Sequence, residues 1–132
     1  PLWERLGLPA ERWAAILGDA ARDDTVLVLD EDGPLGFAWI DPGGAFGRSA
    51  YLRMIAVAPA RRSAGAGAVL LDAFERLAAA RGPDAFLLVT EDNHDARRFY
   101  ARHGYVVTGR LDDYVRHGAT ELLLRKRLTP AA

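Results

Sequence analysis

The sequence predicts an α/β fold, a single domain built on one mixed, mostly antiparallel central sheet flanked by helices. Three observations lead there. Short apolar stretches recur between turn residues in the first third of the chain. The hydrophobic period changes from two to 3.6 at Gly65 and does so again near Asn93. The resulting order is helix, three strands, helix, strand, helix, two strands, which sets meander hairpins first and βαβ crossovers later. The 132 residues show no repeat or linker, so one domain over residues 1–132 is expected.

Each element has a local cause. Residues 9–22 open with Pro9 and place Trp13, Ile16, Leu17 and Ala20 on one face, which predicts an amphipathic helix. Thr25–Asp30 reads as a short buried strand, Glu31-Asp32-Gly33 as a hairpin turn, and Leu35–Ile40 as the partner strand, stopped by Asp41-Pro42-Gly43-Gly44. Tyr51–Val57 is a third strand, and Pro59 bars it from continuing in the sheet. From Gly65, the residues Val69, Leu70, Ala73, Phe74 and Leu77 form one apolar stripe, and Arg81-Gly82-Pro83 ends that helix. Ala85–Thr90 is a near-continuous apolar run, expected of a strand covered on both faces. A second helix runs from about Asn93 to His103 and stops at Gly104. Strands near Tyr105–Thr108 and Ala119–Arg127 follow, with an irregular stretch between them.

Bulk composition excludes several classes. The net charge of −1 gives no global field for nucleic acid or an anionic membrane. Apolar runs such as Phe86–Val89 fall far short of the ~20 residues that span a bilayer. There is no cysteine, so disulfides, thiolate metal sites and a cysteine nucleophile are excluded, and a reducing cytoplasm is the expected location. No spacing joins the three histidines to carboxylates as a metal site.

The most informative segment is the strand Tyr51–Val57, the turn Arg61-Arg62-Ser63-Ala64-Gly65-Ala66-Gly67, and the helix that follows. Glycines at a helix start let a ligand approach the backbone, and the first N–H groups of a helix have no internal partners. Together they suit a phosphate, with Arg61 and Arg62 adding charge and Ser63 a hydroxyl. A solvated loop of small residues is the plain alternative. The dinucleotide fingerprint fails because Leu70 stands where its third glycine belongs, and no Gly-Lys-Ser/Thr of a P-loop occurs.

Two motifs here carry a resemblance. Arg62-x-x-Gly65-x-Gly67, after a strand ending Val57-Ala58-Pro59, resembles motif A of the GNAT family of N-acetyltransferases. Asn93-His94-Asp95-Ala96-Arg97-Arg98-Phe99-Tyr100, with His103-Gly104-Tyr105 after it, is similar to that family's motif B. The likeness covers about residues 25–127 and implies an acyl-CoA N-acyltransferase-like fold with a shortened N-terminus. It implies acetyl-CoA as co-substrate, held where the strand at Tyr51–Val57 splays from the strand at Ala85–Thr90. Main-chain groups of Ile55, Ala56 and Val57 would meet the pantetheine arm. Residues Arg61 to Gly67 would hold the pyrophosphate, and Asn93 would touch the arm. Ala64 departs from the pattern, since many members carry a basic residue there.

The implied reaction passes an acetyl group directly to a primary amine on a small molecule or a peptide. A free alkylamine is about 99.9% protonated at neutral pH, so the reaction needs a proton acceptor. Glu91, at the end of the strand before motif B, is the first candidate and Asp92 the second. Tyr100 lies two helical turns after Asn93 and would assist the departing sulfur, with core packing as its plain alternative. Asn93 also suits a helix N-cap. His94 and His103 read more simply as helix-surface residues. Asp112-Asp113-Tyr114 could meet a cationic amine or form a polar turn. A non-catalytic acyl-CoA-binding module and a nucleotide-binding domain are the competing classes, and a homodimer is one of the assemblies left open.

Overall fold

The computed structural model describes residues 24–30, 34–59 and 65–128. The helix expected over residues 9–22, the turn at 31–33 and the arginines and serine at 61–63 lie outside the described residues. Six strands, β1 (Thr25–Asp30), β2 (Pro34–Ala45), β3 (Ser49–Val57), β4 (Asp84–Thr90), β5 (Val106–Asp112) and β6 (Thr120–Arg127), alternate with two described helices, α1 (Ala66–Ala79) and α2 (His94–Arg102). They form one sheet in the order β1-β2-β3-β4-β6-β5. Only β3 and β4 pair in parallel; the other four pairs are antiparallel. The expected mixed, mostly antiparallel sheet is therefore present.

Three boundaries differ from the sequence reading. The stop assigned to Asp41-Pro42-Gly43-Gly44 does not end β2, which runs on to Ala45. A register shift between Asp41 and Ala45 absorbs the irregular residues, so the ladder resumes at Ala45↔Ser49. The hairpin then closes on Phe46 and Gly47, both at positive φ (59° and 69°), the turn geometry whose twist matches paired strands. β5 continues past Thr108 to Asp112, pairing with β6 as far as Asp112↔Thr120. The third difference is the buried stripe of α1, which is Ala66, Leu70, Leu71, Phe74 and Ala78, while Val69 is exposed. Packing against a twisted sheet selects that face.

The core lies between α1 and the sheet. Phe74, Leu71, Ile40 and Leu87 are its largest fully buried side chains, each contributing roughly 2–3 kcal/mol by burial, while Phe37, equally buried, alternates onto the other face of the sheet. Ala38, Ala50 and Ala85 show no exposure, on the three strands β2, β3 and β4. That floor of small side chains lets the helix lie close. α1 is also tied to the far edge of the sheet, because Glu75 Oε1 accepts from Lys126 Nζ at 2.8 Å and its Oε2 accepts from the Tyr105 hydroxyl at 3.1 Å. β4 is fully buried only on its Ala85, Leu87 and Val89 face; Phe86, Leu88 and Thr90 on the opposite face are half-buried. The expectation of a strand covered on both faces is corrected accordingly.

Candidate active site

The parallel ladder between β3 and β4 is short. It runs Ala50↔Ala85, Tyr51↔Phe86, Leu52↔Leu87 and then ends, although β3 continues to Val57 and β4 to Thr90. The cause sits on the other side of β3. There β2 pairs Ile40 with Leu52 but Trp39 with Met54, so Arg53 is an extra residue in the strand. Such a bulge bends its strand and steepens its twist. The bend falls one residue beyond the last parallel pair, and past it β3 parts from β4.

This opening has a polar lining. Ala58 donates its N–H to Leu35 O at 2.7 Å, across to β2. Alternation along the strand therefore turns the main-chain N–H and C=O of Ile55 and Val57 to the β4 side and those of Ala56 to β2. Just beyond β3, α1 starts at Gly65, which takes a left-handed conformation (φ 83°, ψ 6°) and has no side chain of its own to cap the helix. The first bond of the helix is Val69 N–H to Gly65 O, so the N–H groups of Ala66, Gly67 and Ala68 precede it and point out of the helix end. The two glycines are not equivalent. A Cβ on Gly65 would meet nothing within 4 Å among the described residues, whereas one on Gly67 would lie 3.4 Å from Phe99 Cζ on α2. Gly65 serves the turn, while Gly67 sets the spacing of the two helices. Ala66 buries its methyl group in the core and offers only its main chain.

The second motif stands across the opening. Asn93 Oδ1 accepts from Ala96 N–H at 3.2 Å, so Asn93 is the N-cap of α2, and its amide N–H₂ points elsewhere. Gly104 (φ 91°) closes the helix, and Tyr105 N–H returns to Tyr100 O at 3.0 Å. That return places the buried Tyr105 ring 5.7 Å from the Tyr100 ring, and Phe99 abuts Tyr100 at 5.2 Å. Tyr100 is thus held by aromatics from two sides, and its hydroxyl accepts and donates no hydrogen bond among the described residues. Burial, with a smaller contribution from Tyr51, pushes its pKa up to about 12. Tyr105 is also pushed above the ordinary tyrosine value, by burial and then by Glu75. His103 stacks at a tilt on Phe99 at 4.7 Å and His94 is exposed, which is the plainer reading of both.

Other site residues fall differently. Glu91 donates its N–H to Thr120 O on β6 (2.9 Å), and its carboxylate engages Arg110 on β5 with both oxygens. It is turned two strands away from β3, not beside the opening, because β6 inserts between β4 and β5. Asp112 is taken by Thr120 Oγ1 (2.7 Å) and Arg110, and Asp113 accepts from Gly118 N–H at 2.6 Å. The Asp112-Asp113 pair therefore builds a polar turn, while Tyr114 lines a groove on the sheet face opposite α1. No group of three His, Asp or Glu side chains able to hold a metal occurs among the described residues.

One residue escaped the sequence reading. Glu121, at the start of β6, is 8% exposed and faces that same groove. Its signal was a lone acid opening the apolar run Leu122-Leu123-Leu124. Tyr51 faces the groove as well, and its hydroxyl is raised above the ordinary tyrosine value by burial, with Tyr114 and Glu121 adding to it and Arg53 opposing.

Comparison with known proteins agrees with this geometry. The profile of the acetyltransferase (GNAT) family matches residues 1–105. No curated protein sequence matches significantly. Among solved structures, one described as a GNAT-family acetyltransferase from Desulfovibrio desulfuricans is 24% identical, covering 97% of this chain and 88% of its own, with a TM-score of 0.80. An aminoglycoside 6′-N-acetyltransferase complexed with coenzyme A is 18% identical, with coverage of 99% and 91% and a TM-score of 0.77. The ribosomal-protein-S18-alanine N-acetyltransferase of Escherichia coli is 18% identical, with coverage of 90% and 78% and a TM-score of 0.73. These structures share the fold. By the family match, the chain belongs to the GNAT acetyltransferases.

Proposed function

We propose that this GNAT acetyltransferase moves an acetyl group from acetyl-CoA directly to a primary amine. The observation that carries the reading is the parting of β3 from β4 after Leu52↔Leu87, with the start of α1 at Gly65 beside it. A strand edge that has left its parallel partner suits the amides of a pantetheine arm. A helix start at a glycine, with no acid in its first turn, suits a diphosphate. Arg61, Arg62, Ser63 and the main chain of residues 64–67 would complete that grip.

Bound acetyl-CoA supplies a thioester, an acetyl group already activated for attack. The residues of the chain do the rest. The N–H groups on the β4 side of β3, at Ile55 and Val57, are positioned to stabilise the carbonyl oxygen as it gains negative charge, an effect worth roughly 3–4 kcal/mol where measured elsewhere. Tyr100, with a pKa of about 12, keeps its proton at neutral pH. Full transfer from it to a thiolate of ordinary pKa near 8.5 would be uphill by about 5 kcal/mol. Tyr100 therefore donates a hydrogen bond to the sulfur and shares the proton instead of surrendering it. The amide of Asn93, free because capping uses its oxygen, faces the same arm. Glu91 is occupied by Arg110, which moves the search for the proton acceptor to the groove. The acceptor amine belongs to a small molecule or a peptide, and a cysteine-free chain of this kind suits the cytoplasm.

A thermal unfolding titration tests the cofactor half. Coenzyme A at a hundredfold excess over its Kd should stabilise the fold by about 2.7 kcal/mol, while ATP and NAD should leave it unchanged. Release of free thiol from acetyl-CoA with a panel of primary amines tests the transfer half. Stabilisation by NAD or ATP equal to that by coenzyme A would refute the reading, and coenzyme A binding without thiol release from any amine would leave only a binding module.

A further inference from the structure

The sheet face opposite α1 carries a groove made of two adjoining hollows of about 550 and 520 Å³, which share Tyr51, Arg53, Leu88 and Val115. One end is polar. There Glu121, 92% buried, accepts from Thr90 Oγ1 at 3.1 Å through Oε1, while its Oε2 is buried with no hydrogen-bond partner among the described residues. A carboxylate oxygen left in this state is costly, and folding alone supplies no reason for it. The other end is apolar, walled by Leu88, Leu111, Leu123 and Tyr114.

We propose that Glu121 Oε2 receives the ammonium of the acceptor, and that the acceptor is a monoamine whose apolar body lies along Leu88, Leu111, Leu123 and Tyr114. This rests on the acetyl-transfer reading above. The charges around the groove set the number of ammonium groups it takes. Arg53 is committed, bonded to Asp41 at 3.3 Å and stacked over the Trp39 ring at 5.3 Å. Arg116 adds a second positive charge at the wall of the polar end. Asp112 and Asp113 are spent on Thr120 and Gly118 N–H. Arg53 is balanced by Asp41 and by Asp24 at 3.7 Å, so the groove offers one carboxylate oxygen beside the guanidinium of Arg116, which favours a single positive charge over a polycation.

Position also favours the role. Thr90, which orients Glu121, ends the segment of β4 that has left β3. Tyr51, which lines the groove, stands in the parallel ladder one residue before β3 leaves β4, so the groove adjoins the opening along the strand. An ammonium at Oε2 gives one proton to the carboxylate. The freed nitrogen bonds to the acetyl carbon, the carbon–sulfur bond breaks, and the second nitrogen proton ends on sulfur. The products are an amide and a thiol, and Glu121 returns its proton to water.

The full chain saturated with coenzyme A is titrated calorimetrically with 2-phenylethylamine, and in parallel with spermidine and kanamycin. Phenylethylamine should bind, and more tightly than either polycation. Glu121→Gln should weaken it at least about 30-fold, as removal of a buried charge partner does, with coenzyme A affinity held within about twofold. Tyr114→Arg, on a residue that is 66% exposed and so safe for folding, should weaken it about tenfold. Unchanged phenylethylamine binding by Glu121→Gln, or tighter binding of spermidine or kanamycin, overturns the proposal. Wild-type protein that binds coenzyme A but not phenylethylamine overturns the acceptor site alone. Failure to bind coenzyme A strikes the acetyl-transfer reading instead.

Discussion

Gly65 and Gly67 are two residues apart in one motif, yet the structure assigns them opposite responses to a side chain. Gly65 sits at φ 83° with open space where a Cβ would go. Gly65→Val therefore meets no clash but forces a β-branched residue into the left-handed region, at about 1–2 kcal/mol. Some of that is offset by about 0.4–1 kcal/mol of lost freedom in the unfolded chain, so the net loss is on the order of 1 kcal/mol. In a chain of 132 residues, that lowers Tm by roughly 4 °C and leaves the protein folded. The effect on ligand is larger. A side chain placed before the helix-start N–H groups blocks at least one charge-assisted hydrogen bond to a diphosphate, worth about 1.5–3 kcal/mol, which is a loss of roughly 10- to 100-fold in coenzyme A affinity. Gly67→Ala is the control. Its methyl group would point at Phe99, at 3.4 Å from Cζ, away from the ligand side. A helical glycine replaced by alanine gains up to about 1 kcal/mol, less whatever the Phe99 ring must yield. Urea unfolding and isothermal titration with coenzyme A on both variants decide the matter. A folded Gly65→Val protein with wild-type affinity, or a Gly67→Ala protein that loses it, would refute the assignment of the diphosphate to this helix start.

Three further outcomes are expected. Because Tyr100 holds its proton to about pH 12 when folded and to about 10 when unfolded, its contribution is intact below pH 10 and is lost as pH rises from 10 to 12. Unfolding free energies across that window should fall less steeply in Tyr100→Phe, by up to about 2.7 kcal/mol over the whole interval, and equal slopes would remove Tyr100 from its buried position. Gly36→Ala puts a Cβ 2.6 Å from Ala56 O and 3.1 Å from Leu70 Cδ1, so β3 must shift exactly where its main chain lines the opening. A loss of about 1–3 kcal/mol in chemical unfolding is expected, with coenzyme A affinity reduced alongside, and a neutral result would show that β2 and β3 have slack the structure does not give them. Glu121→Gln keeps an acceptor for Thr90 and removes a poorly solvated charge, so its Tm should equal or exceed that of the wild type. A Tm drop of more than roughly 4 °C would make the carboxylate structural.

The element order was legible in the sequence because each cause is local. An apolar run marks β1, a proline ends β3, and Arg81-Gly82-Pro83 ends α1; the burial expected of β1 does not hold, because it is the edge strand and exposes Val26 and Val28. The helix start at Gly65 was legible for the same reason, since a glycine acts within one turn. What escaped depends on pairing across the sheet. Glu91 adjoins the opening along the chain, but β6 enters beside β4 and Arg110 on the next strand claims its carboxylate. Glu121 lies 30 residues further on and reaches the groove only because the same insertion aligns Thr90 with Glu121. The β2 extension was hidden because Asp41-Pro42-Gly43-Gly44 reads as a stop wherever no partner strand supplies a bulge to hold it.

The bulge at Arg53 connects these features. One extra residue in β3 ends the parallel ladder, and the same residue's side chain ties Asp41 and the Trp39 and Tyr51 rings on the groove side. The strand break therefore does two things at once. On the edge between β3 and β4 it parts the two strands where the proposed pantetheine arm would lie. On the face opposite α1 it engages the Arg53 guanidinium, one of the two that line the hollow at Glu121, so that Glu121 keeps an oxygen for a substrate cation instead of losing it to that arginine. An arginine at this position explains both the opening and the unpaired carboxylate. A shorter polar residue there would preserve the bulge but give up the ion pairs that Arg53 makes with Asp41 at 3.3 Å and Asp24 at 3.7 Å. Cofactor opening and acceptor groove are, on this account, two consequences of one irregular residue in an otherwise regular strand.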